Sequence, residues 1–267
     1  MDDVAPGPVV VTGAANGIGR ATAVLLAHRG HDLVVCDRDA AGLDDLAGEV
    51  RSLGRSVHAE VLDVRDAPTV RSLVDSAGSS AGGLGGLVNN AGGTYRSAFV
   101  ASSPKGDRAL VDENFTSVVE VTRAAVAHLR PGSAIVNVTS SEAFQAAPGF
   151  AVYAAMKAAV ENLTRTLALE LADAGLRVNS VAPDGIPTSG DEALAAEVRS
   201  GGLHLPPPVP PLGRFGTPEE CAEVIAFLLD DRSRFVTGTC VHVDGGLHAA
   251  GGWHRSASRD PSGRAGG

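Results

Sequence analysis

The 267-residue chain is poor in several residue types, and each shortage excludes something. It holds three cysteines, Cys36, Cys221 and Cys240, an odd and scattered set. They make no CxxC pair and no disulfide framework, so no metal is expected and a reducing cytoplasm is. No stretch approaches the roughly 18 consecutive apolar residues of a membrane helix. The chain begins Met1-Asp2-Asp3, acidic where a secretory signal would be basic. Positive charge is also in deficit: 22 Lys+Arg stand against 31 Asp+Glu, a net charge of −9. That balance lacks the basic footprint of a nucleic-acid binder. Neither nucleic acid nor membrane is therefore expected as a partner.

Aromatics make up only 4% of the chain, with one tryptophan, Trp253, and two tyrosines, Tyr95 and Tyr153. Lysine is as rare: Lys105 and Lys157 are the only two among 22 cationic residues, the rest being arginine.

What is present is a globular composition, 44% hydrophobic with mean hydropathy +0.09, enough for one sizeable core. Short apolar runs alternate with segments of helical periodicity. Strands are read at 8–12, 32–36, 56–61, 86–89, 134–139 and 176–181, and helices at 17–29, 40–53, 66–77, 106–129 and 150–173. Such alternation implies right-handed crossovers and a parallel sheet covered by helices on both faces. Two segments break it. Residues 187–213 are rich in glycine and proline and read as a substrate lid. Residues 249–267 read as a flexible tail.

After the first strand comes Thr12-Gly13-Ala14-Ala15-Asn16-Gly17-Ile18-Gly19. Gly13 permits a sharp turn, Gly17 lets backbone approach a pyrophosphate, and Gly19 allows close packing of helix on sheet. The opening helix favours an anion through its free N–H groups. Asp37 ends the second strand, 18 residues after Gly19. A carboxylate there accepts ribose hydroxyls and repels a 2′-phosphate, which favours NAD; Arg38 beside it is the feature that speaks for NADP. Asp63, before Val64, reads either as a partner of the adenine amino group or as an acid near a helix start. Asn90, Ala91 and Gly92 end the fourth strand and leave room for a cofactor.

Tyr153 and Lys157 lie four apart in an alanine-rich helical stretch, on one helix face. A free tyrosine, with a pKa of about 10, is a poor base near neutrality, and a neighbouring ammonium lowers that value. Ser140 ends a strand 13 residues before Tyr153, where its hydroxyl can meet a substrate oxygen.

These stretches resemble the short-chain dehydrogenase/reductase family, in its compact subtype of about 250 residues. The matching segments are TGAANGIG, Asp37, LDV at 62–64, NNAG at 89–92, Asn114, Ser140, YAAMK at 153–157, NSVAP at 179–183, PLGRFGTPEE at 211–220 and VDGG at 243–246. The resemblance covers roughly residues 8–247. It implies a single doubly wound Rossmann-type α/β domain over residues 1–248, with a seven-stranded parallel sheet. It also implies a catalytic tetrad. Tyr153 would be the acid/base, Lys157 would tune it and hold the nicotinamide ribose, Ser140 would orient the substrate oxygen, and Asn114 would bind a relay water. Pro183, Ile186 and Thr188 would lie at the nicotinamide, and the chain would form a homotetramer or homodimer.

The chain departs from the family pattern at Asp184, where glycine is usual, and at Gly85-Gly86, where an acid is usual. The latter is expected to cost some local stability. The substrate pocket implied by the resemblance includes Thr94, Tyr95, Glu142, Phe144, Gln145, Phe150 and Asp184. Glu142 and Asp184 either make that pocket acidic, suiting a polar, hydroxyl-rich or amine-bearing alcohol, or face solvent. The leading expectation is an NAD-preferring oxidoreductase interconverting a secondary alcohol and a ketone. The alternatives are an NADP-dependent ketoacyl-type reductase and a non-catalytic dinucleotide-binding sensor.

Overall fold

The computed structural model describes residues 7–188 and 209–251. Seven strands form one sheet: β1 (Val9–Thr12), β2 (Leu33–Asp37), β3 (Val57–Val61), β4 (Leu84–Asn89), β5 (Leu129–Val138), β6 (Arg177–Pro183) and β7 (Cys240–Val243). Their order is β3-β2-β1-β4-β5-β6-β7, with every neighbouring pair parallel. The order reverses between β1 and β4, the place where open α/β sheets leave a crevice for a ligand. The expected doubly wound architecture is therefore present.

The apolar runs are continuous because both sheet faces are covered. All four residues of β1 are buried. Side chains alternate across a strand. Val9 and Val11 accordingly join one core with Leu26 of α1 (Gly17–His28), Leu43 and Leu46 of α2 (Ala40–Ser52), and Ile225 of α7 (Pro218–Leu229). Val10 joins the other, with Leu73 of α3 (Ala67–Ser80), Val121 of α5 (Ser117–Val126) and Ala168 of α6 (Ala151–Glu170). The start of α7 is set by a capping box: Thr217 accepts from the Glu220 N–H, Glu220 accepts from the Thr217 N–H, and Pro218 fills the first turn. Its far end is held by Arg177 of β6. That buried guanidinium donates to the Leu228 carbonyl at 2.7 Å, to Ser233 Oγ at 2.9 Å, and to the Leu229 and Asp230 carbonyls at 3.3 Å.

The helix expected over 106–129 is interrupted by a π-helical turn. α4 (Pro104–Val111) runs into a π-helical turn at Asp112–Thr116, and α5 follows. β5 then starts at Leu129, earlier than the expected 134, because Pro131 and Gly132 disguise its exposed first half. β4 likewise starts at Leu84. The Gly85-Gly86 pair there is a packing requirement: a Cβ on Gly85 would stand 2.3 Å from the Gly7 carbonyl oxygen. The expected loss of stability from these glycines is thus offset by a backbone approach that no side chain permits.

Residues 189–208, the larger part of the segment read as a lid, lie outside the described residues, as do Trp253 and most of the tail. The chain returns at 209–213. There Pro210 packs on Gly245, where a Cβ would come within 2.6 Å of it, and the Leu212 N–H donates to the Gly245 carbonyl at 3.1 Å. A four-residue helix, α8 (Leu247–Ala250), follows β7. Among the described residues no helix is long and apolar enough to cross a membrane.

Candidate active site

The glycine loop crosses the switch point. Gly13 and Gly17 adopt φ of +65° and +54°, conformations that favour glycine. A Cβ on Gly19 would lie 2.0 Å from the Gly13 carbonyl oxygen, so helix α1 meets the loop with no room for a side chain. Ile18 is buried beneath it. Asn90 staples the two strands at the crevice: its amide donates to the Thr12 and Gly13 carbonyls, at 3.0 and 2.9 Å. Thr12 Oγ1 accepts in return from the Asn90 and Ala91 N–H groups. Asn16 precedes α1 without capping it, because its amide turns to Asp39 at 2.9 Å. The first N–H groups of α1 are thereby left to an anion, and a cradle of this shape fits a pyrophosphate. The methyl of Thr188 lies against Gly17, within 3.2 Å of where its Cβ would be. Pro183 and Asp184 close β6 half-buried, and Ile186 beyond them is buried.

Asp37 is fixed beside this cradle, one oxygen accepting from the Ala15 N–H and the other from the Asp39 N–H, both at 3.0 Å. Arg38 does not point along it. Its guanidinium pairs with Glu113 of the π turn at 3.4 Å. Asp63 is gripped through both oxygens by Arg65, whose hydrogen bonds hold its carboxyl down to about 2. Asp66, not Asp63, caps α3, and Val64 is buried.

The tetrad residues gather past the crevice. Lys157 is only 4% exposed; its ammonium donates to the Val138 carbonyl at 3.1 Å and lies 5.6 Å from the Tyr153 ring centroid. Burial lowers its pKa to about 8, against the pull of the Glu113 and Glu142 charges. Asn114 is fully buried within the π turn. Its amide donates to the Gly93 carbonyl at 2.9 Å and the Leu110 carbonyl at 3.0 Å, and its Oδ1 accepts from the Gly93 N–H at 3.3 Å. A Cβ on Gly92 would come 2.8 Å from Asn114 Oδ1 and 3.2 Å from Lys157 Nζ, so this glycine lets the segment after β4 lie between them. Ser140 lies two residues beyond β5 and donates to the Glu142 carboxylate.

The residues expected around the substrate divide into two groups. Glu142 and Asp184 converge on Ser141, whose hydroxyl donates to Asp184. Burial raises the Asp184 pKa, opposed by that hydrogen bond. Phe144 lies beside them on a stack formed by His242 and His248, whose rings are parallel at 3.9 Å. Tyr95 and Phe150, by contrast, line a small cavity of about 20 Å³ with Phe99 and Leu110, which none of the tetrad side chains lines. Thr94 and Gln145 are exposed.

Sequence reasoning missed Ser141, His242, His248, Glu113 and Glu161. Glu161 carried a signal, lying one helical turn beyond Lys157 on the same face. It is buried and accepts from Thr139 Oγ1 at 2.5 Å and from Ser180 Oγ at 2.9 Å. The others come together only through the fold. Among the described residues no group of three His, Cys, Asp or Glu side chains could hold a metal.

Fold and site together define a Rossmann-type oxidoreductase. A family profile described as "Enoyl-(Acyl carrier protein) reductase" matches residues 13–248. A 3-oxoacyl-(acyl-carrier-protein) reductase of Thermotoga maritima is 40% identical, the match covering 89% of this chain and 96% of that one. A cis-4-hydroxycyclohexanecarboxylate dehydrogenase of Sinomonas cyclohexanicum is 39% identical, covering 90% and 96%. The crystal structure of levodione reductase superposes with a TM-score of 0.83 at 29% identity, covering 91% and 98%. The chain belongs to the short-chain dehydrogenase/reductase family.

Proposed function

We propose that this protein interconverts a secondary alcohol and a ketone, with NAD preferred over NADP. The observation that carries the reading is the placement of buried Lys157 beside Tyr153, at the end of the crevice opposite Asp37. A bound nicotinamide supplies or accepts the hydride at carbon. In the oxidative direction the alcohol carbon loses a hydride and its oxygen loses a proton. The phenolate of Tyr153 takes that proton, and the Lys157 charge favours the phenolate. Ser140 orients the oxygen, and Asn114 holds the Gly93 backbone at the site's wall. Asp37, held by two N–H groups, supports the NAD preference, since its charge repels a 2′-phosphate.

Glu142 and Asp184 support a polar, hydroxyl-rich or amine-bearing substrate, because both carboxylates stand next to Ser140 and Ser141. The likeness to an acyl-carrier-protein reductase favours a second reading, an NADP-dependent ketoacyl reductase. The same reading includes a cytoplasmic homotetramer or homodimer; exposed Phe99 near α4 and Leu169 on α6, 71% and 80% accessible, support association. The test is a screen of purified protein with NAD and NADP against secondary alcohols and ketones, including acidic thioesters, reading absorbance of the reduced nicotinamide. Turnover of neutral or cationic alcohols with NAD is expected. Turnover confined to acyl thioesters with NADPH sinks the first reading in favour of the second.

A further inference from the structure

The crevice carries an ion pair that no part of the proposed chemistry uses. Arg38 follows β2, and Glu113 sits in the π turn against the strand end after β4. β1 lies between those two strands, so the pair reaches across the switch point itself. Glu113 is set there by the fold. Its side chain is 16% exposed, and a Cβ on Gly93 would stand 3.2 Å from both carboxylate oxygens. Arg38 is the loose member, with 61% of its side chain accessible. The neighbouring cation, Arg65, is already held by Asp63 through both carboxylate oxygens. Among the described residues, Arg38 and Arg65 thus each face a carboxylate.

We propose that Glu113 is a cofactor-specificity residue. By drawing Arg38 across the crevice it withholds from a 2′-phosphate the cation that follows Asp37 in the sequence. Asp37 repels the phosphate directly; Glu113 removes the group that would compensate. The assignment rests on the dinucleotide reading above, but it concerns adenosine recognition alone and can be tested without turnover.

Isothermal titration calorimetry on the full chain would compare 5′-AMP with adenosine 2′,5′-bisphosphate. The proteins are wild type, Glu113→Gln, Arg38→Ala and the double variant. Glu113→Gln should tighten the bisphosphate relative to AMP by about fivefold, the scale of one exposed ion pair. Arg38→Ala alone should move that ratio by less than about twofold, since its charge is engaged elsewhere. The double variant should match Arg38→Ala. An unmoved ratio in Glu113→Gln overturns the proposal. So does an equal gain in the double variant, which would make the effect one of Glu113's own charge. If Glu113→Gln does not fold by thermal melting, Arg38→Ala decides: a loss of bisphosphate affinity of about tenfold would mean that Arg38 already serves the phosphate. Failure of AMP itself to bind would instead overturn the dinucleotide reading.

Discussion

The Lys157 ammonium lies 5.6 Å from the centre of the Tyr153 ring, one turn along the same helix, with the Val138 carbonyl as its hydrogen-bond acceptor. A cation fixed this way stands where the acid/base role proposed for Tyr153 needs one. Tyr153→Phe should therefore keep the fold and the binding of adenosine fragments while losing turnover by about 100-fold to 10,000-fold. Steady-state rates beside calorimetry check this; retention of most activity would remove Tyr153 from the acid/base role.

Burying that ammonium has a cost with a definite pH dependence. The Lys157 pKa falls from 10.5 to about 8, so between those values the unfolded chain binds more protons than the folded one. The penalty is full below pH 8 and disappears as pH rises toward 10.5. It amounts to about 3 kcal/mol, less about 1 kcal/mol for the hydrogen bond to Val138. Lys157→Met should be inactive yet more stable than wild type at pH 7, the gain shrinking in alkali. Urea denaturation of both proteins at pH 7 and pH 10 measures it; a gain that grows with pH contradicts the assignment.

Gly19→Ala places a methyl 2.0 Å from a backbone oxygen, and backbone cannot yield as a flexible side chain does. The loop or the start of α1 must move, so affinity for 5′-AMP should drop by at least about tenfold. An alanine variant with wild-type affinity would show the cradle to be more pliable than its geometry.

Arg177 satisfies carbonyls at the end of α7 from inside the sheet. Arg177→Met removes the donors and leaves those oxygens buried. A loss of about 3 kcal/mol is expected from denaturant unfolding. A loss under about 0.5 kcal/mol would mean that water replaces the guanidinium.

Replacing the acids near Ser140 should change which substrates are accepted. With Glu142→Gln and Asp184→Asn together, kcat/KM for an anionic keto acid should rise by about tenfold or more relative to a neutral ketone of the same skeleton. Equal changes for both substrates would place the two carboxylates outside the binding pocket.

Features set by local spacing were legible in the chain itself. The helical repeat put Tyr153 and Lys157 on one face, and a strand, a glycine turn and a helix in sequence announced the phosphate cradle. Chain folding from afar was not legible. Ser141 and Asp184 are 43 residues apart, and nothing in either neighbourhood points to the other. His242 and His248 stack because β7 turns through two glycines in the left-handed region into α8. Arg38 could be weighed only beside its sequence neighbour Asp37, because its ion-pair partner Glu113 is brought to it by the fold. Glycines hid strand beginnings at Gly85 and Gly132, where the need for close approach or a turn outweighed strand propensity.

The π turn at Asp112–Thr116 amounts to one surplus residue threaded into an otherwise regular helix. A residue advances an α-helix by about 100°. Excising one residue from that turn would therefore mend the helix while rotating everything upstream by about a quarter-circle against everything downstream. Leu110 and Asn114 could then no longer face their present neighbours together with Val118 and Val121, all of which are buried now. The irregularity is a phase shift: it lets one continuous rod serve two surfaces, the sheet along α5 and the Gly93 backbone at Asn114, that no single helical repeat could address.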